Sequence, residues 1–347
     1  MDTTRHEVLA KFRDLPVIDT HVHHSQPYSI PESLEFFKDI KQRRNYEAFA
    51  FMPYHLSGSK GRHPNASLES LYYKKQFPGS WAFCGLQHYC DERDTAEGYL
   101  EQVKHYRALG CDGVKMLEGK PDLHRTVGRG IDDPVYDKFY AYMEENGLPI
   151  TMHICDPADN WDPDKVSDYA KKVGWFYGDP SYPARERIYI EVWNLMRKFP
   201  ALKLNLAHFG FFGYIPQMAE EFLSAWKNTR LDLTPGGIMF AGFSANPEYW
   251  KDFFVRHQDR IVFGSDCYNM PEDTVNKGGP LGRWELVRSC LEFTEPFKWP
   301  TMEKELIPFG FDDTMLKKLY HDNAVAFFGG APKELDEARI DWSPLGL

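Results

Sequence analysis

The stretch Pro16-Val17-Ile18-Asp19-Thr20-His21-Val22-His23-His24 reads as a β-strand that ends in histidines, and the fold follows from asking what surrounds it. Side chains alternate along a strand, so His21 and His23 share one face while Val22 turns to the other. Two imidazoles ~7 Å apart on one strand can converge on a single metal ion. An isolated His-x-His fits a pair of solvated or hydrogen-bonded histidines equally well, so the rest of the chain has to decide.

Seven further short runs read as strands: Ala48–Pro53, Trp81–Gln87, Gly113–Leu117, Pro149–Ile154, Leu202–His208, Arg230–Thr234 and Arg260–Ser265. They are rich in apolar residues with little clean alternation, as parallel strands covered on both faces should be. Segments of helical period lie between and after them: Pro31–Lys41, Ala66–Gln76, Thr95–Leu109, Asp133–Asn146, Pro183–Phe199, Pro216–Trp226, Pro247–His257 and Asp312–Phe328. Several open on proline, and Gly110, Gly147 and Gly329 close three of them, which is the usual punctuation of helices. Strand and helix alternating eight times predicts one (β/α)₈ barrel domain over residues 1–347. The rival, an open doubly wound sheet, normally carries a glycine-rich phosphate turn after its first strand, and none is present. Two long connections, Cys155–Tyr182 and Cys267–Gly282, are candidates for functional loops.

In such a barrel the C-terminal ends of the strands form the rim where active sites sit. Strand 5 finishes at His153, strand 6 at His208 and strand 8 at Gly264-Ser265-Asp266. Together with His21 and His23, four imidazoles and a carboxylate spread along the chain are expected to meet at one mouth. Histidines at strand ends can also be satisfied by backbone partners one at a time; five such groups on four ends point instead to a metal such as Zn²⁺.

His21-Val22-His23, the single histidines ending strands 5 and 6, and Gly264-Ser265-Asp266 resemble the amidohydrolase superfamily. Ala207-His208-Phe209-Gly210, Phe263-Gly264-Ser265-Asp266 and the closing Asn323-Ala-Val-Ala-Phe-Phe-Gly329 are similar to its amidohydrolase-related branch, which includes aminocarboxymuconate-semialdehyde decarboxylase and γ-resorcylate decarboxylase. The resemblance runs from strand 1 to the last helix. It implies one divalent ion, Zn²⁺ being the expected one, held by His21, His23, His153 and Asp266, with Asp266 and His208 as the catalytic residues that move protons. It also implies a metal-dependent hydrolase of a small carboxylate-bearing or cyclic substrate (lactone, amide or ester), with non-oxidative decarboxylation of an aromatic or muconate-like acid as the alternative.

Lys115 on strand 4 has three readings. It could be carboxylated and bridge a second metal, face a substrate anion, or pair with a buried carboxylate such as Asp19. Tyr54, His55 and Arg185 are further candidates for substrate contact, and His88 and Arg187 are weaker ones. His24 is assigned to the loop. Trp161, Trp175, Phe176 and Tyr177 could form an aromatic lid or a solvated hairpin, and Asp232 and Thr234 share a face of strand 7.

Composition narrows the partners. A formal net charge of −10 argues against a nucleic acid held by phosphate neutralisation, and 42% hydrophobic with 27% charged residues argues against a disordered chain. No apolar run approaches the ~20 residues of a membrane span, and Met1–Asp14 has no signal-peptide core. Six cysteines without a Cys-x-x-Cys pair suggest reduced thiols in a cytoplasmic protein. The expected partners are a small-molecule substrate and a second copy of the chain in a homodimer, with neither nucleic acid nor membrane.

Overall fold

The computed structural model describes residues 12–24, 29–57, 61–235, 238–269, 279–300 and 302–346. Eight parallel strands lie side by side in chain order: β1 Val17–His23, β2 Tyr46–Met52, β3 Trp81–Gly85, β4 Gly113–Gly119, β5 Pro149–Ile154, β6 Lys203–Leu206, β7 Arg230–Asp232 and β8 Ile261–Val262. The expected (β/α)₈ barrel is therefore what the chain builds. Its seam closes between β1 and the segment after β8, where Val22 bridges Cys267, Thr20 N donates to Phe263 O (3.1 Å) and Asp266 N donates to His21 O (2.8 Å). The Asp19 carboxylate reinforces this seam, accepting from Ser265 N at 3.0 Å and Ser265 Oγ at 2.5 Å. Burial pushes the Asp19 carboxyl up to about 7, against the pull of those donors.

The helices cover the outside. α1 (Ile30–Arg43) starts on a capping box between Ser29 and Glu32 with Pro31 in its first turn. α2 (Ala66–Gln76) and α3 (Ala96–Leu109) sit where the periodicity puts them, and Gly110 stops α3 with φ 122°. α4 (Pro121–Val127) was not legible as a helix. Asp133 caps as expected, yet the first turn is a tighter 3₁₀ turn, Pro134–Tyr136, before α5 (Asp137–Glu145). The long Cys155–Tyr182 connection holds a 3₁₀ turn at Ala158–Trp161 and a short α6 (Asp168–Lys172). α7 (Arg185–Lys198), α8 (Pro216–Ala225), α9 (Met239–Ala245) and α10 (Pro247–Arg256) follow.

The second long connection, Cys267–Gly282, lies largely outside the described residues, and its end belongs to α11 (Gly279–Glu292). Met1–Lys11 of the N-terminal reading also lies outside them. The expected closing helix is interrupted: α12 (Asp313–Lys317) and α13 (Asn323–Phe328) flank a π-helical stretch, Lys318–Asp322. There the Leu319 carbonyl accepts from Phe263 N at 2.9 Å, so the last helix satisfies the backbone just past β8.

One continuous apolar layer between strands and helices runs from Val17 to Ile340. A second cluster at the N-terminal ends of β1–β3 (Ile18, Ala48, Ala50, Trp81 and Phe83) is closed by Phe327 and Phe328 of α13. The opposite end, the C-terminal rim, carries the polar side chains. Among the described residues no helix is long and apolar enough to cross a membrane.

Candidate metal centre

β1 brings His21 and His23 to the rim, and each ring is oriented by a group that can only accept. His21 Nδ1 lies 3.1 Å from Asp232 Oδ2, and His23 Nδ1 lies 2.7 Å from the Met52 carbonyl. Burial pushes the Asp232 pKa up, but the hydrogen bond from His21, the nearby His208 and Thr234 outweigh that and hold it below the usual carboxylate range. With the proton on each Nδ1, bonded to these acceptors while the Thr234 hydroxyl stands 3.1 Å from His21 Nδ1, both Nε2 lone pairs turn inward. The two Nε2 atoms face each other at 3.1 Å. Nitrogens bonded to one tetrahedral Zn²⁺ at about 2.0–2.1 Å would stand about 3.3 Å apart, so the donor pair fits such an ion.

Asp266 completes the group. Its Oδ1 is 3.3 Å from His23 Nε2, and the ligand-capable atoms of His21, His23 and Asp266 all lie within 4.8 Å of one another. Asp266 has φ 55°, a left-handed backbone that aims its carboxylate across the seam toward β1. The Arg283 guanidinium of α11 pairs with that carboxylate and donates to the Asp266 carbonyl at 2.7 Å. Burial raises the Asp266 pKa, but Arg283, His23 and His208 outweigh it and hold the group well below the usual range.

His153 and His208 form a second pair beside this trio. His208 Nδ1 lies 3.2 Å from the Thr234 carbonyl, and His153 Nε2 lies 3.0 Å from the Cys155 carbonyl. Their remaining nitrogens, His208 Nε2 and His153 Nδ1, face each other at 3.2 Å. The His208 ring centroid is 5.8 Å from that of His21. Each of the four rings thus has one nitrogen against an acceptor and the other toward the mouth; a proton on the outer nitrogen leaves the inner lone pair free, the arrangement expected around a cation. His153 belongs to this second pair and is not one of the tight trio.

His208 reaches the mouth through an unusual backbone. His208, Phe209, Gly210 and Phe211 all have φ between 55° and 59°, a left-handed turn that ends β6 at Leu206. The His208 N–H donates to Asp232 Oδ1 at 2.9 Å, so one carboxylate orients His21 and anchors this turn. Phe211 packs against the rings of His153 and His208, with centroids 5.9 and 5.3 Å away.

The Lys115 amine lies 3.0 Å from His21 Nε2 and is buried. Burial lowers its pKa to about 8, opposed by Asp232, Asp266 and Glu118. Asp19 does not receive it, because that carboxylate is engaged by Ser265 and the backbone of His21; this corrects the buried-pair reading of Lys115. Tyr54 lies over His23 at 4.1 Å between ring centroids. His55 lines a small pocket, with room for about one water, together with Lys115, His88, Glu118, Leu117 and Leu123. Both of its nitrogens are occupied, by Ser67 Oγ at 2.5 Å and the His63 carbonyl at 3.1 Å. The Arg185 guanidinium turns to its own helix, with Nη2 3.1 Å from Tyr189 Oη, and Arg187 pairs with Glu191. His88 bonds Glu118 (2.6 Å) and Tyr99 (2.9 Å), and His24 packs onto α2 through Glu69 and Ser70.

Three residues of the site carried no assigned role in the sequence. Asp232 shows only the inward parity of its strand, and Asp156, three residues beyond His153, is a plausible partner by spacing. Arg283 offers no signal, because its helix begins in a glycine-rich segment that reads as loop.

No curated protein matches this sequence. Among solved structures, an uncharacterised TIM-barrel protein from Bordetella bronchiseptica is similar at 15% identity, covering 91% of this chain and 100% of that one with a TM-score of 0.58. The Metarhizium anisopliae IDCase in apo form is similar at 14% identity, with 90% and 97% coverage and a TM-score of 0.55. The 4-oxalomesaconate hydratase of Rhodopseudomonas palustris is similar at 15% identity, with 90% and 95% coverage and a TM-score of 0.51. At these identities the likeness is one of fold. A family model described as amidohydrolase matches residues 18–330, nearly the whole barrel, and the chain belongs to that family of enzymes.

Proposed function

We propose that this enzyme is a metal-dependent hydrolase acting on a small carboxylate-bearing or cyclic substrate, a lactone, amide or ester. The observation that carries the reading is the convergence at the rim of four imidazole rings and the Asp266 carboxylate, the ligand-capable atoms of His21, His23 and Asp266 lying within 4.8 Å of one another. His21, His23, His153 and Asp266 would hold the ion, with Zn²⁺ suited to this mixture of nitrogen and carboxylate donors. When bound, such an ion supplies Lewis acidity and lowers the pKa of a coordinated water toward neutrality. Asp266 accepts a proton at a carboxylate oxygen, and His208 Nε2 is a second acceptor facing the same space. Lys115, a cation at the floor of the mouth, favours an anionic group on the substrate, and Tyr54 walls the side nearest His23. Carboxylation of Lys115 would be required for a second ion.

The alternative, non-oxidative decarboxylation of an aromatic or muconate-like acid, is favoured by one observation. Lys115 places N–H protons beside His21, where a substrate carboxylate could be received and a proton supplied to carbon. The two reactions separate by product: lactone, amide and ester panels are followed by acid release, and aromatic and muconate-like acids by carbon dioxide release. Elemental analysis of the wild type and of His23→Ala and Asp266→Asn runs alongside. About one ion per chain is expected, with occupancy falling in His23→Ala and turnover lost by at least 10³-fold in Asp266→Asn. A protein that binds no divalent ion, or an active Asp266→Asn, would sink the reading.

A further inference from the structure

Asp156 is buried at the start of the Cys155–Tyr182 connection, and its two oxygens face different partners. Oδ1 lies 3.3 Å from His153 Nε2, a nitrogen that the Cys155 carbonyl also approaches at 3.0 Å. Oδ2 accepts from Tyr177 Oη at 2.5 Å and from Lys120 Nζ at 2.6 Å. Lys120 Nζ is in turn 3.0 Å from Tyr177 Oη and sits over the indole of Trp175 at 4.7 Å. Lys120 comes from just beyond β4, and Tyr177 from the far end of the aromatic connection. A carboxylate that served only to neutralise Lys120 would have no need to reach His153 with its other oxygen.

We propose that Asp156 is a positioning residue for His153: braced by Lys120 and Tyr177, it holds the imidazole with Nε2–H outward and the Nδ1 lone pair toward the barrel mouth, and so ties the aromatic connection to the metal centre. The inference rests on the reading of His153 as a ligand. Nε2–H is shared between two groups that cannot donate, an ionised carboxylate and a carbonyl, which defines the tautomer. The negative charge makes the ring a stronger donor through Nδ1, which a carbonyl alone does less well. Two donors on Oδ2 fix the carboxylate's torsions, so its grip on His153 depends on Tyr177 staying in place. Whatever displaces the connection therefore loosens a ligand, and aromatic residues named for a lid acquire a role in metal binding.

The test uses the full chain stripped of metal, zinc alone as the probe, competition with a chromophoric chelator, and ¹H–¹⁵N long-range spectra of the labelled histidines. In the wild type, His153 should be the Nε2-protonated tautomer with its Nε2–H shifted downfield by the carboxylate. Asp156→Asn should move that resonance upfield and weaken zinc binding about 10-fold or more. Tyr177→Phe, which keeps the carboxylate and its Lys120 pair, should weaken zinc binding by a smaller factor, and it carries the comparison if Asp156→Asn does not fold. Wild-type zinc affinity in both variants, or an unmoved His153 resonance in Asp156→Asn, overturns the proposal. His153→Ala separates the two layers. If it leaves zinc affinity unchanged, the ligand reading fails; if it weakens binding while Asp156→Asn does not, the positioning role alone fails.

Discussion

Asp232 shows how one buried carboxylate organises this mouth: Oδ2 sets the His21 tautomer, and Oδ1 holds the His208 and Thr234 amides. At the same scale, His55 illustrates a histidine whose environment makes it structural. Its ring is buried, Ser67 and the His63 carbonyl use both nitrogens, and burial lowers its pKa to about 3. The unfolded ring titrates near 6.5, so below that pH the unfolded chain binds a proton that the folded chain refuses. The stability His55 contributes is therefore complete above pH 6.5 and is lost as pH falls toward 3. The total change is roughly 3–5 kcal/mol. His55→Asn should flatten the decline of the unfolding midpoint between pH 6.5 and 4 relative to wild type. Parallel pH profiles for the two proteins would show that the ring is protonated without cost.

At the scale of elements, the left-handed turn from His208 to Phe211 replaces the expected continuation of β6. Three of its four residues carry side chains that pay for φ near 55°, and such backbone strain, of order 1–3 kcal/mol per residue, tends to persist where a site needs it. Here the return is the placement of His208 against His153 and of Phe211 over both rings. Gly210 is the one residue suited to the conformation, and a Cβ there would meet the Phe212 ring at 2.7 Å. Gly210→Ala should cost about 1–2 kcal/mol, read as a lower urea midpoint at unchanged slope. A midpoint equal to or above wild type would argue against the left-handed turn. Gly264 has a different reason: its backbone passes so close to Thr234 that a Cβ would sit 2.5 Å from Oγ1.

For the whole molecule, the candidate metal centre straddles the seam of the barrel. His21 and His23 come from β1, and Asp266 comes from the far side of the closing segment, where pairing is limited to the bridge at Val22–Cys267 and a few backbone bonds. An ion held from both sides would staple the ring where its ladder is thinnest. Zinc at about 100 times its dissociation constant would then stabilise the fold by about 2.7 kcal/mol. Chelation should lower the thermal midpoint accordingly, and hydrogen exchange should rise first in β1 and around residues 263–267. Equal protection with and without zinc would count against a seam-bridging ion. The apolar layer from Val17 to Ile340 is continuous, and it supports a single cooperative unit in which that local loosening is felt globally.

The eight-fold strand–helix rhythm was legible because each strand is a short apolar run and several helices carry a proline start or a glycine stop, both local properties of the chain. His21, His23, His153, His208 and Asp266 were legible for the same reason, since a strand end is a position in sequence and barrel closure brings all such ends together. Tertiary structure alone decided the rest. The inward lone pairs depend on acceptors up to 211 residues away, as for His21 and Asp232. Lys115 could not be directed from its own strand, because its partner lies on β1. The left-handed turn at His208 overrides the strand propensity of its neighbours. Arg283 and Asp156 act through contacts between segments that no local pattern connects. Local propensity reaches only a few residues along the chain, whereas the orientation of a ligand is set by whatever the folded chain packs behind it.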